Sequence, residues 1–127
     1  MKTVLFDTDY LIDFLRGKSS IKDIISKALI QGVGYISVLS IYELYAGMLP
    51  GDEQATEDCI NAFHIEPVTV DIARMAGKTR FSYRQRGTTL SIVDCIILET
   101  ARTNHHLIAT MNRKHYPDAK FLVPPST

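Results

Sequence analysis

Val4-Leu5-Phe6-Asp7-Thr8-Asp9 is a short apolar run that stops at two carboxylates. Thr3–Phe6 combines β-branched and aromatic residues without polar alternation, the pattern of a strand buried on both faces. Thr8 or Asp9 can cap a helix over Tyr10–Leu15, which Gly17 stops. A buried strand that feeds directly into a helix opens an α/β fold. In open sheets of that class the chemistry lies just outside the carboxyl ends of the strands. The stretch therefore predicts the fold class and points to Asp7 as the group on which others converge.

The same alternation continues outward. Ser20, with Asp23 three residues on, has the form of a capping box. The helix behind it carries Ile21, Ile24, Ile25, Ala28 and Leu29 on one stripe, and Gly32 ends it. Gly34–Val38 reads as a second strand and Leu39–Met48 as a third helix, broken by Pro50-Gly51. A fourth helix covers about Asp52–Phe63. Ile65–Val70 reads as a third strand, and Pro67 near its start assigns it to a sheet edge. Asp71 caps a fifth helix with Ile72, Met75, Ala76, Thr79 and Tyr83 inward, stopped by Gly87. Ile92–Ala101 is apolar on nearly all sides and so predicts a buried helix. Leu107–Ala109 is a fourth strand, Asn112–His115 a helical turn, and Lys120–Val123 a last strand before Pro124-Pro125. The sheet is expected to be mainly parallel, with helices on both faces because crossovers are right-handed.

The chain of 127 residues fits one domain, 1–127, with 46% hydrophobic and 22% charged residues, ordinary for a soluble globular protein. No run approaches eighteen apolar residues, and the apolar stretch before Asp7 is too short for a signal peptide, so no membrane association is expected. Cys59 and Cys95 lack metal or redox spacing; both fit buried free thiols and a reducing cytoplasm. Net charge is zero but unevenly spread. Residues 1–71 hold 5 Lys+Arg against 11 Asp+Glu, and residues 72–127 hold 9 against 3. An acidic site beside a basic surface for a polyanion would look like this; so would two solvated faces of opposite sign.

Three acids stand out because apolar residues surround them. Asp7 follows Leu5-Phe6, Glu43 precedes Leu44-Tyr45-Ala46, and Asp94 precedes Cys95-Ile96-Ile97-Leu98. Each has a plain alternative. Asp7 can cap the next helix, and Ser40–Glu43 and Ser91–Asp94 both satisfy the capping-box spacing. Yet burying a carboxylate without a cation is costly, and three such acids at the ends of separate elements suit a shared hard ion, Mg²⁺ or Mn²⁺. Such an ion can activate a water and offset phosphate charge.

Four stretches in order resemble the PIN-domain ribonucleases, and within them the VapC-type toxins of toxin–antitoxin pairs. They are Val4–Asp9, Ser40-Ile41-Tyr42-Glu43-Leu44-Tyr45-Ala46-Gly47, Ser91-Ile92-Val93-Asp94 with its apolar helix, and Leu107-Ile108-Ala109-Thr110-Met111-Asn112. The resemblance covers essentially the whole chain. It implies a three-layer α/β/α domain and a Mg²⁺- or Mn²⁺-dependent endoribonuclease that hydrolyses RNA. It also implies a cognate antitoxin, usually a small DNA-binding protein, and a homodimer. Carried over by residue, Asp7, Glu43 and Asp94 would bind metal, Thr8 would orient the first acid, and Thr110 would support the site through its hydroxyl. The fourth acidic position of many relatives falls on Asn112, whose amide carries no charge; Asp9, or less directly Asp118, could compensate.

Arg74, Lys78, Arg80, Arg84 and Arg86, with Arg113 and Lys114 later, could contact RNA phosphates. Tyr83 and Tyr45 could stack on bases, although Tyr83 also fits the inward stripe. His105-His106 fit a helix end, and His64 and His115 have no metal-spaced partners. Asp7-Thr8-Asp9 also mimics a haloacid-dehalogenase phosphatase motif, but that motif expects Gly-Thr where Tyr10-Leu11 stand. A receiver domain would need a phosphoacceptor at the end of strand three, where Asp71 already serves a helix start. The rival of another class is a catalytically silent PIN-fold module that binds RNA or docks a protein, a reading that Asn112 sustains.

Overall fold

In the computed structural model, which describes residues 2–117 and 119–121, four parallel strands form one sheet. They are β1 (Val4–Phe6), β2 (Gly34–Ser37), β3 (His64–Glu66) and β4 (Leu107–Ala109), in the order β3-β2-β1-β4. β1 is interior, in register with Gly34 and Leu107 at Val4 and with Ala109 at Phe6. The helices are α1 (Thr8–Leu15), α2 (Ser19–Ile30), α3 (Val38–Gly47), α4 (Glu53–Asn61), α5 (Val70–Gln85) and α6 (Ile92–Asn104).

The alternation of β1 splits the core. Val4 and Phe6 join Tyr10, Leu11, Ile21, Ile25, Leu44 and Ile60, so α1–α4 cover one face. Leu5 joins Ile97, Leu98, Ala101, Ile108 and Tyr116 on the α6 side. α5 lies against α6 through Ala76, Tyr83, Leu90 and Cys95. The result is the expected α/β/α layering around a parallel sheet, with β3 at the edge that Pro67 predicted. Cys59 and Cys95 are free and buried, as expected, and burial pushes the Cys59 thiol up to about 11.

Several boundaries differ from the sequence reading, mostly by a choice among adjacent caps. Asp7, not Thr8 or Asp9, is the cap of α1, accepting the Thr8 amide. Ser37 caps α3 through the Leu39 amide, so the helix begins at Val38 and Ser40 lies inside it. Thr69, not Asp71, caps α5 through the Ile72 amide, and β3 ends at Glu66, before Pro67. α2 starts one residue before Ser20 with Lys18 as an uncapped start, so no Ser20–Asp23 box forms. Met75, placed in the inward stripe of α5, is 46% exposed. α6 continues to Asn104 and closes on His105 at φ 59, a left-handed cap position more often given to Gly or Asn. Of the expected last strand, Phe121 bridges Ile108 in parallel, while Leu122, Val123 and the Pro124-Pro125 tail lie outside the described residues, as does Asp118.

Candidate active site

Asp7 leaves β1 at the carboxyl end of the sheet and is 9% exposed. Its Oδ1 accepts the Thr8 amide at 2.7 Å. Its Oδ2 accepts the Thr110 hydroxyl at 3.0 Å and the Tyr116 hydroxyl at 2.6 Å. The capping and site readings of Asp7 are thus both satisfied, one by each oxygen. Burial holds the Asp7 carboxyl above the usual range, against the pull of those three donors, and the nearby Asp94 charge adds to the rise.

Asp9, in the first turn of α1, turns toward the loop after β4. Its Oδ2 accepts the Met111 amide at 3.3 Å and the Asn112 side-chain amide at 3.5 Å. Its Oδ1 is buried with no hydrogen-bond partner among the described residues. Burial, then the charge of Asp7, push this carboxyl up to about 6. Asn112 in turn donates its backbone N–H to the Thr110 hydroxyl at 3.1 Å, so one threonine ties the loop to Asp7.

Glu43 is half-buried on α3, and its Oε1 accepts the Thr8 hydroxyl at 2.6 Å. Ser40 meets the same hydroxyl at 2.9 Å. Ser40 therefore latches α3 to α1 instead of forming a box with Glu43. Thr8 orients Asp7 only through its amide; its hydroxyl serves Glu43.

Asp94 is the third residue of α6. The Ser91 half of its capping box does form, with the Asp94 amide donating to Ser91 Oγ at 3.0 Å. Its carboxylate lies 3.3 Å from His115 Nδ1. Burial and the charges of Asp7 and Asp94 push the Tyr116 hydroxyl well up, which keeps it a proton donor.

The fold therefore gathers Asp7, Asp9, Asp94, Thr110 and Asn112 at the carboxyl ends of β1 and β4, with Glu43 joined through Thr8. Tyr116 and His115 belong to the same cluster, and the sequence reading missed both. Tyr116 is 109 residues from Asp7, and no periodic pattern marks it. Among the described residues, no three carboxylate, imidazole or thiol groups already converge as a ready metal cage. The donor set is nonetheless all oxygen, with one buried carboxylate oxygen unengaged, and a small hard ion fills its remaining positions with water and phosphate.

The proposed stacking residues are engaged elsewhere. Tyr45 donates to Glu57, which pushes its hydroxyl up to about 12. Tyr83 is buried, with the Arg86 guanidinium 4.1 Å from its ring centre. Arg80 donates to the Leu90 carbonyl at 2.9 Å and Arg74 faces Asp71 at 3.5 Å, while Lys78 and Arg84 are exposed. A short segment joins α5 to α6, the helix that carries Asp94. His64 lies against Tyr35, and His106 is buried between Thr3 and Glu66, away from the acids.

Residues 4–121 match the PIN domain family. Ribonuclease VapC10 of Mycobacterium tuberculosis is 34% identical over 122 residues, spanning 96% of this chain and 92% of that protein. Ribonuclease VapC19 of the same organism is 31% identical, spanning 95% and 98%. A toxin–antitoxin complex from Klebsiella pneumoniae superposes with a TM-score of 0.80 at 26% identity, covering 98% of this chain and 100% of that one.

Proposed function

This chain belongs to the PIN-domain family, as a VapC-type endoribonuclease toxin with an antitoxin partner, and on that premise we propose that Asp7, Asp9, Glu43 and Asp94 hold a divalent cation, Mg²⁺ or Mn²⁺, at which RNA is hydrolysed. The observation that carries the metal reading is the buried, unpartnered Oδ1 of Asp9 beside the buried Asp7. Two desolvated carboxylates two residues apart, one with an unengaged oxygen, are expensive unless a cation shares them. Bound there, such an ion supplies Lewis acidity and counter-charge for a phosphodiester.

The protein's own groups do the rest. Three donors fix the Asp7 carboxylate, so its orientation is set before substrate arrives. Thr8 holds Glu43 toward the same end of the sheet. Thr110 joins Asp7 to the Asn112 loop, and Asn112 presents a neutral amide to Asp9 where a fourth acid would repel it. Lys78, Arg84 and their neighbours on α5 bind the phosphates flanking the scissile one, which makes RNA affinity fall with salt. The reading includes a cytoplasmic location and a homodimer; exposed Val38, Tyr42 and Leu49 on and after α3 support association.

The test is cleavage of structured RNA by purified protein, with and without EDTA, beside Asp7→Asn. Asparagine keeps an oxygen for the Thr8 amide, so the variant folds. EDTA or the substitution should each lower the rate more than about a hundredfold, the loss of several kcal/mol of charge stabilisation. Equal cleavage in every tube would assign the activity to a contaminant. No cleavage over a broad RNA panel, with no heat of Mn²⁺ binding, would favour the silent PIN-fold module.

A further inference from the structure

Of the three donors to Asp7, Tyr116 is the one whose ring lies in the hydrophobic core. It is 0% exposed, and its ring packs with Leu5, Ile97, Leu98, Ala101 and Ile108 in the core between the sheet and α6. Only its hydroxyl leaves that core, to donate to Asp7 Oδ2 at 2.6 Å. The residue before it, His115, meets Asp94 at 3.3 Å. Asp7 and Asp94 come from different elements, β1 and α6, and their like charges push them apart. A rigid phenol donating to Asp7, next to an imidazole at Asp94, holds the two acids against that push.

We infer that Tyr116 is a positioning residue: its hydroxyl, anchored by a core-packed ring, fixes Asp7 while the adjacent His115 meets Asp94, so that one turn after β4 sets the spacing and direction of the two acids that a divalent ion would share. The inference rests on the metal reading above. Carboxylates that ligate a metal are themselves held by hydrogen bonds, and loss of such an outer partner typically weakens metal binding about 10–100-fold. Thr110 supplies a second donor to the same oxygen but comes from the loop after β4, whereas the Tyr116 ring sits on the α6 side of the sheet. That position sets the His115–Tyr116 pair against both acids.

Mn²⁺ titration by calorimetry of wild type, Tyr116→Phe and Ile97→Val tests this. Tyr116→Phe keeps the ring and deletes the hydroxyl. Ile97→Val loosens the same core without touching a polar group. Tyr116→Phe should bind Mn²⁺ at least about tenfold more weakly with a small change in Tm, and Ile97→Val should bind as wild type does. With RNA, Tyr116→Phe should regain much of its rate at high Mn²⁺, which a merely structural defect would not do. Unchanged or tighter Mn²⁺ binding by Tyr116→Phe overturns the inference, as does equal weakening by Ile97→Val. Wild type that takes up no Mn²⁺ overturns the metal reading itself, a result separable from the other two.

Discussion

Asn112 and Asp9 face each other at 3.5 Å, and that pair shows what one side chain decides. An amide at 112 can donate to Asp9; a carboxylate there would repel it. Asn112→Asp should therefore destabilise the metal-free protein by about 1 kcal/mol, the scale of two unit charges near 4 Å in water. Mn²⁺ should then raise its Tm by more than it raises the wild type's, because the ion binds the folded state and finds one more ligand. Thermal unfolding with and without Mn²⁺ measures both, and equal metal shifts in the two proteins would sink the idea. At this scale the acids were legible, because a carboxylate set among Leu, Ile and Phe is conspicuous against the cost of burying it. Their partners were not. Thr8 reaches Glu43 across 35 residues, Thr110 reaches Asp7 across 103, and Tyr116 across 109, so no local spacing encodes these contacts.

At the scale of elements, α6 shows how a cap serves the site. Ser91 accepts the Asp94 amide at 3.0 Å, which fixes the first turn that carries the acid. Ser91→Ala should cost about 1 kcal/mol. In urea the midpoint should fall while the m-value stays constant; an unchanged midpoint would mean that another group satisfies that turn. The existence of all six helices and four strands could be read from periodicity and breakers. Their first residues could not, because Asp7-Thr8-Asp9, Ser37 to Ser40 and Thr69 to Asp71 each offer more than one competent cap. Where a strand stops settles the choice. Phe6 is the last β1 residue in register with β4, so Asp7 is the first free to turn.

At the scale of the whole molecule, a second buried polar cluster ties the sheet together. His106 precedes β4, shares a hydrogen bond with the Thr3 hydroxyl before β1, donates to Glu66 at the end of β3, and stacks on Tyr35 of β2 at 4.5 Å. One ring thus touches residues on or beside all four strands. His106→Leu keeps the bulk and leaves Thr3 and the partly buried Glu66 without partners. It should cost about 2 kcal/mol in urea denaturation, the scale of an orphaned buried hydrogen-bonding group. Loss below about 0.5 kcal/mol would mean that water replaces the imidazole. From sequence the same residue fits a helix end; the structure places it directly before β4, whose pairing buries it.

The sequence by itself determined the α/β class, the parallel sheet with β3 at its edge, the helix inventory and the acids at the ends of separate elements. Those features follow from hydrophobic period, chain breakers and the cost of buried charge, all of which act over a few residues. The tertiary structure alone decided that Asp9 turns to Asn112, that Ser40 latches α1 instead of capping a box, and that Tyr116 donates to Asp7. Each of those depends on the order β3-β2-β1-β4, which brings β4 beside β1, setting residues about a hundred positions apart in contact, and β2 beside β1, setting Ser40 against Thr8. Side-chain chemistry chose the participants, and strand order chose which of them meet.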